Sequence, residues 1–348
     1  RLQLVTSQVA TVRNEEMIVI HDLHLGVQRS AGTTPVSASA LTVWMQQEFD
    51  NTLDRVNEDL VILGDLFDTY QVPLRTVLAT YTSLLDWLRK GHNLCLIPGN
   101  HDLSTDSSKL SSFQFLSQLL LDHPNVKYIS GGGYVTEDVY AISHVPNQDL
   151  FDMELAKVPK CKYLLLHCNY DNNFAKESDH SLNISEEQCG KLPVEFVFFA
   201  HEHYYREELR GKVFIAGNQF PSSVSDCLHK DDKFMTRLGD RPERIMTWDK
   251  AGYAEIDWRN PAESDAMFIR FVGHCKAEEA ADMANVIAAY RKSSEAFVIT
   301  NAVRVGDDTE GAELELKSLE EISKFSVMAA LKDYLSEDDM KILESLNA

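Results

Sequence analysis

The sequence predicts an α/β layered protein, and three observations carry that reading. Short apolar runs alternate with longer amphipathic stretches from the start to about residue 258, five of the runs end in His, Asp or Asn, and a smaller strand–helix–strand pattern follows a break at Asn260-Pro261. Such alternation is the pattern of sheets covered by helices. A chain of 348 residues sets a prior of roughly two domains.

Taken in order, Met17 to Ile20 reads as a strand leading into His21-Asp22-Leu23-His24. Ala38 to Val56 carries Leu41, Met45, Phe49 and Leu53 at helical spacing. Leu60 to Leu63 leads into Gly64-Asp65, and a second helix runs from Leu74 to Leu88 before Gly91 ends it. Leu94 to Ile97 leads into Pro98-Gly99-Asn100-His101, and Ser104 to Leu121 reads as a loop and a helix. Gly131-Gly132-Gly133 is a turn between strands, not a phosphate loop, because neither a helical pattern nor Lys-Ser/Thr follows it. Tyr163 to Leu166 leads into His167, and Phe196 to Ala200 into His201-Glu202-His203. In α/β sheets the crevice at the carboxyl ends of strands is where ligands bind.

Beyond the break, Met267 to Cys275 reads as a strand, Glu278 to Arg291 as a helix and Ala296 to Val305 as a second strand, a small β-α-β unit. Leu319 to Leu346 reads as two short amphipathic helices split at Ser336-Glu337-Asp338-Asp339, with Ser336 an N-cap. Their apolar faces dock either on a partner or on the chain's own core. The expected domains are therefore residues 1–260, 261–318 and 319–348.

Composition narrows the function classes. There are 33 Lys+Arg against 54 Asp+Glu, a formal net charge of -21, which excludes a self-sufficient basic grip on nucleic acid. The six cysteines form no C-x-x-C pair and read as packing thiols in a reducing, cytosolic compartment. The apolar runs fall far short of the ~20 residues a bilayer span needs. No charged-then-apolar leader is visible, and the start at Arg1 reads as a processed one. The expectation is a cytoplasmic protein with no membrane association.

A single histidine after a strand is ordinarily structural, but five polar strand ends together form a donor set. Nitrogen and oxygen donors without thiolate suit hard or borderline divalent ions such as Mn²⁺, Fe²⁺ or Zn²⁺. In Asp22-x-His24 and His201-x-His203, strand alternation is expected to put residues two apart on one side, with His21 and Glu202 pointing away.

The motifs DxH (Asp22, His24), GDxxD (Asp65, Asp68), GNHD (Asn100 to Asp102), H (His167) and HxH (His201, His203) together resemble the calcineurin-like metallophosphoesterases. The resemblance implies a four-layer sandwich, with two mixed sheets flanked by helices, and a centre of two divalent metal ions. Asp22, His24 and His203 would hold one ion, Asn100, His167 and His201 the other, and Asp65 would bridge them. His101 resembles the family histidine that donates to the phosphate or leaving oxygen, with Asp68 orienting its ring, whereas Asp102 reads as structural. Ala200 stands where the family usually has Gly, which is harmless only if its φ is negative.

Finer features resemble the SbcD family, the nuclease subunit of SbcCD-type DNA-repair complexes: Asp22-Leu-His-Leu-Gly26, Gly64-Asp-Leu-Phe-Asp68, Ile97-Pro-Gly-Asn-His-Asp102 and, loosely, 216–226. That resemblance implies a Mn²⁺-dependent DNA exo/endonuclease with a capping domain, acting as a homodimer within a heteromeric complex. Its C-terminal helices would bind the coiled-coil base of an SbcC-type ABC ATPase. The acidic balance then implies that the partner supplies the main DNA surface. Lys230, Lys233, Arg237, Arg241 and Arg244 are either a local DNA-contacting cluster or a solvated loop. The alternative is a small-molecule or nucleotide phosphodiesterase or phosphatase of the same superfamily.

Overall fold

Strands that read as continuous apolar runs must be buried on both faces. The computed structural model, described for residues 16–27, 31–106, 108–172, 181–228 and 232–306, shows what covers each face. The first half runs β1 (Met17–Ile20), α1 (Pro35–Arg55), β2 (Asp59–Leu63), α2 (Leu74–Leu88), β3 (Leu94–Ile97), α3 (Ser112–Leu120) and β4 (Val126–Tyr128). It continues through β5 (Gly132–Thr136), β6 (Val139–Ile142), α4 (Gln148–Leu155), β7 (Cys161–His167), β8 (Asn169–Tyr170) and β9 (Asn183–Ile184). Then follow α5 (Glu186–Lys191), β10 (Val194–Ala200), β11 (Tyr205–Glu208), β12 (Val213–Ala216), β13 (Lys233–Leu238) and β14 (Pro242–Trp248).

Two six-stranded mixed sheets result, ordered β14-β13-β1-β2-β3-β4 and β11-β12-β10-β7-β6-β5. In the first, β1 to β4 are parallel and β13 joins β1 antiparallel. Alternate residues of each strand serve different layers. Ile18, Ile20, Leu60 and Ile62 pack with Leu41, Met45, Phe49 and Trp87 of the helices. Met17, Val19, Val61 and Leu63 turn the other way and meet Leu165, Phe196, Phe198 and Phe214 of the second sheet. The outer face of that sheet, through Leu164, Leu166, Val197 and Phe199, is covered by Phe151 and Leu155 of α4 and Cys189 of α5. This is the helix–sheet–sheet–helix sandwich, and each fully buried Leu, Ile or Phe in it contributes roughly 1.5–3 kcal/mol.

Helix starts follow local chemistry. Thr34 caps α1, with Pro35 at the first helical position, and Ser111 caps α3 in a reciprocal box with Gln114. All six cysteines are free, and five are buried.

A smaller three-stranded parallel sheet combines β15 (Tyr253–Asp257), β16 (Phe268–Val272) and a strand entered after the next helix. The run expected as one strand over 267–275 breaks at Gly273, where φ is +112°, leaving β17 (His274–Cys275) separate. Helix α6 (Ala280–Ser293) leads to β18 (Val298–Asn301), the third strand, and β19 (Arg304–Val305) pairs with β17 in a separate two-stranded sheet. One face packs Ile269, Phe271 and Ile299 under Met283 and Ile287 of α6. The other sends Phe268 and Phe297 against Trp44 of α1, with ring centroids 6.0 and 5.5 Å apart. The small sheet thus starts at Tyr253 and is joined to the first core, and the compact unit ends at Gly306. The two tail helices expected in 319–346 lie outside the described residues. Among the described residues no helix is long and apolar enough to cross a membrane.

Candidate metal centre

The carboxyl ends of β1, β2, β3, β7 and β10 meet at one edge of the sandwich, and each expected ligand sits there. The alternation rule is not what brings them together. β1 ends at Ile20, and Asp22 and His24 lie beyond it with φ of 48° and 46°; Asp65 has φ 50° and His201 φ 86°. Left-handed backbone at non-glycine residues costs of order 1–3 kcal/mol each and collects at functional sites, and Asp and His tolerate it better than most. A cross-loop ladder holds the strained turns: Leu23 N and His24 N both donate to Asp65 O, at 2.9 and 3.0 Å. Ala200 remains within β10 and is not among the positive-φ residues, so the strain falls on His201 instead.

Two ligand groups form. Asp22, His24 and His203 each offer one atom within 4.8 Å of the others, as do Asp65, His167 and His201. Asn100 Oδ1 lies 3.0 Å from both His167 Nε2 and His201 Nδ1, which places it in the second group. Asp65 belongs to the second group and also to a third grouping with His24 and His101, so it stands between the two. His24 Nε2 and His203 Nε2 face each other at 3.2 Å.

Hydrogen bonds on the far side fix which atoms face inward. His167 Nδ1 lies 3.1 Å from Leu63 O, leaving Nε2 toward Asp65 Oδ2 at 3.2 Å. Asp22 Oδ2 accepts from His201 N and is 2.9 Å from His21 Nδ1, while Asp22 Oδ1 is buried with no hydrogen-bond partner. An orphaned carboxylate oxygen 3.8 Å from an imidazole nitrogen, in a cluster of inward nitrogens, fits a divalent cation.

The charges agree. Burial and neighbouring His203 push His24 down to about 4, and burial with His167 lowers His201, so both present lone pairs at neutral pH. Burial opposes ionisation of Asp65, but His167 overcomes it and holds the carboxyl well below its usual range. Burial likewise opposes a charge on His167 and on His203, yet Asp65 raises the one and Asp226 the other to about 9, so a cation must displace a proton at these two rings.

His101 is exposed at the mouth; its N–H donates to Asp65 Oδ1 at 2.9 Å. The expected partnership with Asp68 takes a different form. His101 Nδ1 meets the backbone carbonyl of Asp68 at 2.5 Å, while the Asp68 carboxylate lies 3.6 Å from His24 Nδ1. Asp102 is fully buried and accepts from Gly99 N, Phe67 N and Leu66 N, tying the two acidic loops together. Glu202 accepts from Tyr170 N and pairs with Arg206, away from the cluster.

Two nearby residues carry no motif. His144 lies against the charges of His167, Asp65 and His201, and its imidazole is pushed down to about 4, chiefly by burial. Asp226 Oδ1 lies 2.7 Å from His203 Nδ1. The only sequence signal for Asp226 was its place in the segment after HxH.

This chain belongs to the calcineurin-like phosphoesterase family, whose profile matches residues 18–205, more than half of its length. It is therefore a metal-dependent phosphoester hydrolase. Among solved structures, TT1561 of Thermus thermophilus is similar at 11% identity over 68% of this chain and 100% of that one, with a TM-score of 0.40. A cold-active protein tyrosine phosphatase is similar at 14% identity over 68% and 78%, with a TM-score of 0.36. A cold-active protein-tyrosine phosphatase of a psychrophilic Shewanella sp. is similar at 13% identity over 68% and 79%, with a TM-score of 0.35. Among curated proteins, none matches.

Proposed function

We propose that the chain hydrolyses phosphodiesters with two divalent ions, most suitably Mn²⁺, and that its substrate is DNA, cut by exo- or endonuclease action with a coiled-coil ABC-type ATPase as partner. The observation that carries the phosphodiesterase reading is the pair of inward ligand groups, Asp22/His24/His203 and Asp65/His167/His201, with Asp65 also grouped with His24 of the first. Asp22, His24 and His203 would hold one ion and Asn100, His167 and His201 the other, with Asp65 common to both. Two such ions supply a water nucleophile of lowered pKa and charge stabilisation of both oxygens of an in-line displacement. The chain's own contribution is orientation. Leu63 O fixes the His167 ring, and His21 and His201 N hold Asp22 so that Oδ1 points inward. His101, its backbone N–H tied to Asp65 and its Nδ1–H engaged by Asp68 O, would donate a proton from Nε2 to the phosphate or the leaving oxygen in its imidazolium form.

DNA as the substrate rests on the motif segments 22–26, 64–68 and 97–102, all of which lie at the site. A specific observation favours the second reading, a small-molecule or nucleotide phosphodiesterase. The run expected to supply basic contacts is a hairpin, β13–β14, in which Lys233, Arg237 and Arg244 are engaged within the fold while Arg241 is exposed at the turn. Lys233 is 4% exposed and donates to His203 O; Arg237 pairs with Glu58 and Glu243; Arg244 lies over the rings of Tyr205 and Phe234. Lys230 lies outside the described residues. If DNA is the substrate, the duplex must be gripped by something else, as the partner reading requires.

The test is incubation of the purified protein and Mn²⁺ with end-labelled linear duplex, with and without the ATPase, beside bis-p-nitrophenyl phosphate. Duplex cleavage that rises with the partner supports the nuclease reading. Good turnover of the small diester with an intact duplex under every condition moves the function to the second reading.

A further inference from the structure

We propose that Asp226 is a positioning residue that fixes His203 as a metal ligand through Nε2. The inference rests on the two-metal reading above and adds to it a carboxylate that none of the five motifs contains. Asp226 sits in a one-turn helical segment, Ser225–Cys227, and is 5% exposed. Its two oxygens have separate tasks. Oδ2 accepts from Ser222 N and Oγ at 2.9 and 3.1 Å and from Ser223 N and Oγ at 3.0 and 3.1 Å. Oδ1 is left to His203 Nδ1 at 2.7 Å.

A carboxylate accepts only, so in the neutral ring Nδ1 must carry the proton, and the lone pair falls on Nε2. Nε2 is the atom that faces His24 Nε2 and Asp22 Oδ1. Among the described ligand candidates, His203 is the one whose far nitrogen meets a carboxylate at hydrogen-bond distance. His167 uses the Leu63 carbonyl, and the His24–Asp68 approach is longer, at 3.6 Å. Outer carboxylates of this kind fix the tautomer and raise the basicity of the ligand, and their loss typically costs about 10–100-fold in metal affinity. The segment is itself anchored, because Gln219 accepts from His21 N and Phe220 packs edge-on to Trp44.

The four donors on Oδ2 make one variant diagnostic. In Asp226→Asn the amide oxygen is held toward Ser222 and Ser223, which turns the NH₂ group toward His203 Nδ1. Nδ1 then accepts, the proton moves to Nε2, and Nε2 can no longer ligate. Asp226→Ala leaves the ring free to choose its tautomer. Mn²⁺ binding to the full chain, followed by electron paramagnetic resonance of the free ion, should show two equivalents for wild type. In Asp226→Asn one equivalent should weaken by about 10–100-fold while the other is unchanged, and Asp226→Ala should lose less than Asp226→Asn. A folded Asp226→Asn protein with wild-type affinity at both sites overturns the proposal. So does a loss that is larger for Ala than for Asn and tracks a fall in melting temperature, which marks a merely structural residue. If wild type itself fails to bind two equivalents, the two-metal reading falls first.

Discussion

A methyl group at residue 99 would sit 2.2 Å from Asp65 Oδ1 and 2.8 Å from His167 Nε2, so the glycine of GNHD leaves room for both side chains. Gly64 answers a different demand as well: its φ is +78°, and a Cβ there would meet His167 Nδ1 at 2.2 Å. Gly99→Ala is therefore expected to lower turnover of a small diester by at least about 10²-fold, since ångström-scale misplacement costs that much. Metal analysis should find fewer than two equivalents bound. On the proposed reading, His101 and Asp65 separate the roles of moving a proton and holding metal. His101→Ala should keep both metals and lose about 10²–10⁴-fold in turnover, whereas Asp65→Ala should lose metal and turnover together. Equal metal loss in the two variants, read by elemental analysis after gel filtration, would contradict that division.

The elements explain why these residues could be read from the sequence and others could not. Each expected ligand ends an apolar run, and parallel strands of one sandwich bring such ends to one edge whatever their separation along the chain. The local geometry was not legible in the same way. Alternation assumes an extended backbone, yet Asp22, His24, Asp65 and His201 stand in left-handed turns beyond their strands. Nor could a motif show that Asp68 reaches His101 through its carbonyl, because side-chain type says nothing about a backbone acceptor. Asp226 lies 23 residues beyond His203 and is brought back by the turn after β12. The core behind the site gives a prediction at this scale. Phe198 is fully buried between the sheets, stacks on Phe214 at 5.5 Å and meets the ring of His21 at 5.7 Å. Phe198→Ala should cost about 3–5 kcal/mol, measured by urea unfolding, and should weaken metal binding through His21 and Asp22.

For the whole molecule the net charge of -21 sets the terms on which a phosphodiester can be approached. Lys233, Arg237 and Arg244 of the β13–β14 hairpin are committed to a carbonyl, acids and rings, which leaves Arg241 exposed at the turn, so the hairpin offers the reaction centre little to hold a duplex. At about 0.15 M salt, its affinity for duplex DNA by fluorescence anisotropy should be no tighter than the nonspecific range of about 10⁻⁴–10⁻⁶ M. Tighter binding by the free chain would remove the reason to invoke a partner. Metal should also stabilise the fold, by about 2.7 kcal/mol at a free concentration one hundred times its Kd, and a chelator should lower the melting temperature accordingly. The central claim is that two ions bind and that both are needed for hydrolysis. The direct measurement is titration of the metal-stripped protein with Mn²⁺, recording bound metal and hydrolysis of bis-p-nitrophenyl phosphate on the same samples. Two equivalents per chain, with turnover appearing as the second binds, is the predicted result; full turnover at one equivalent, or in the stripped protein, would contradict it.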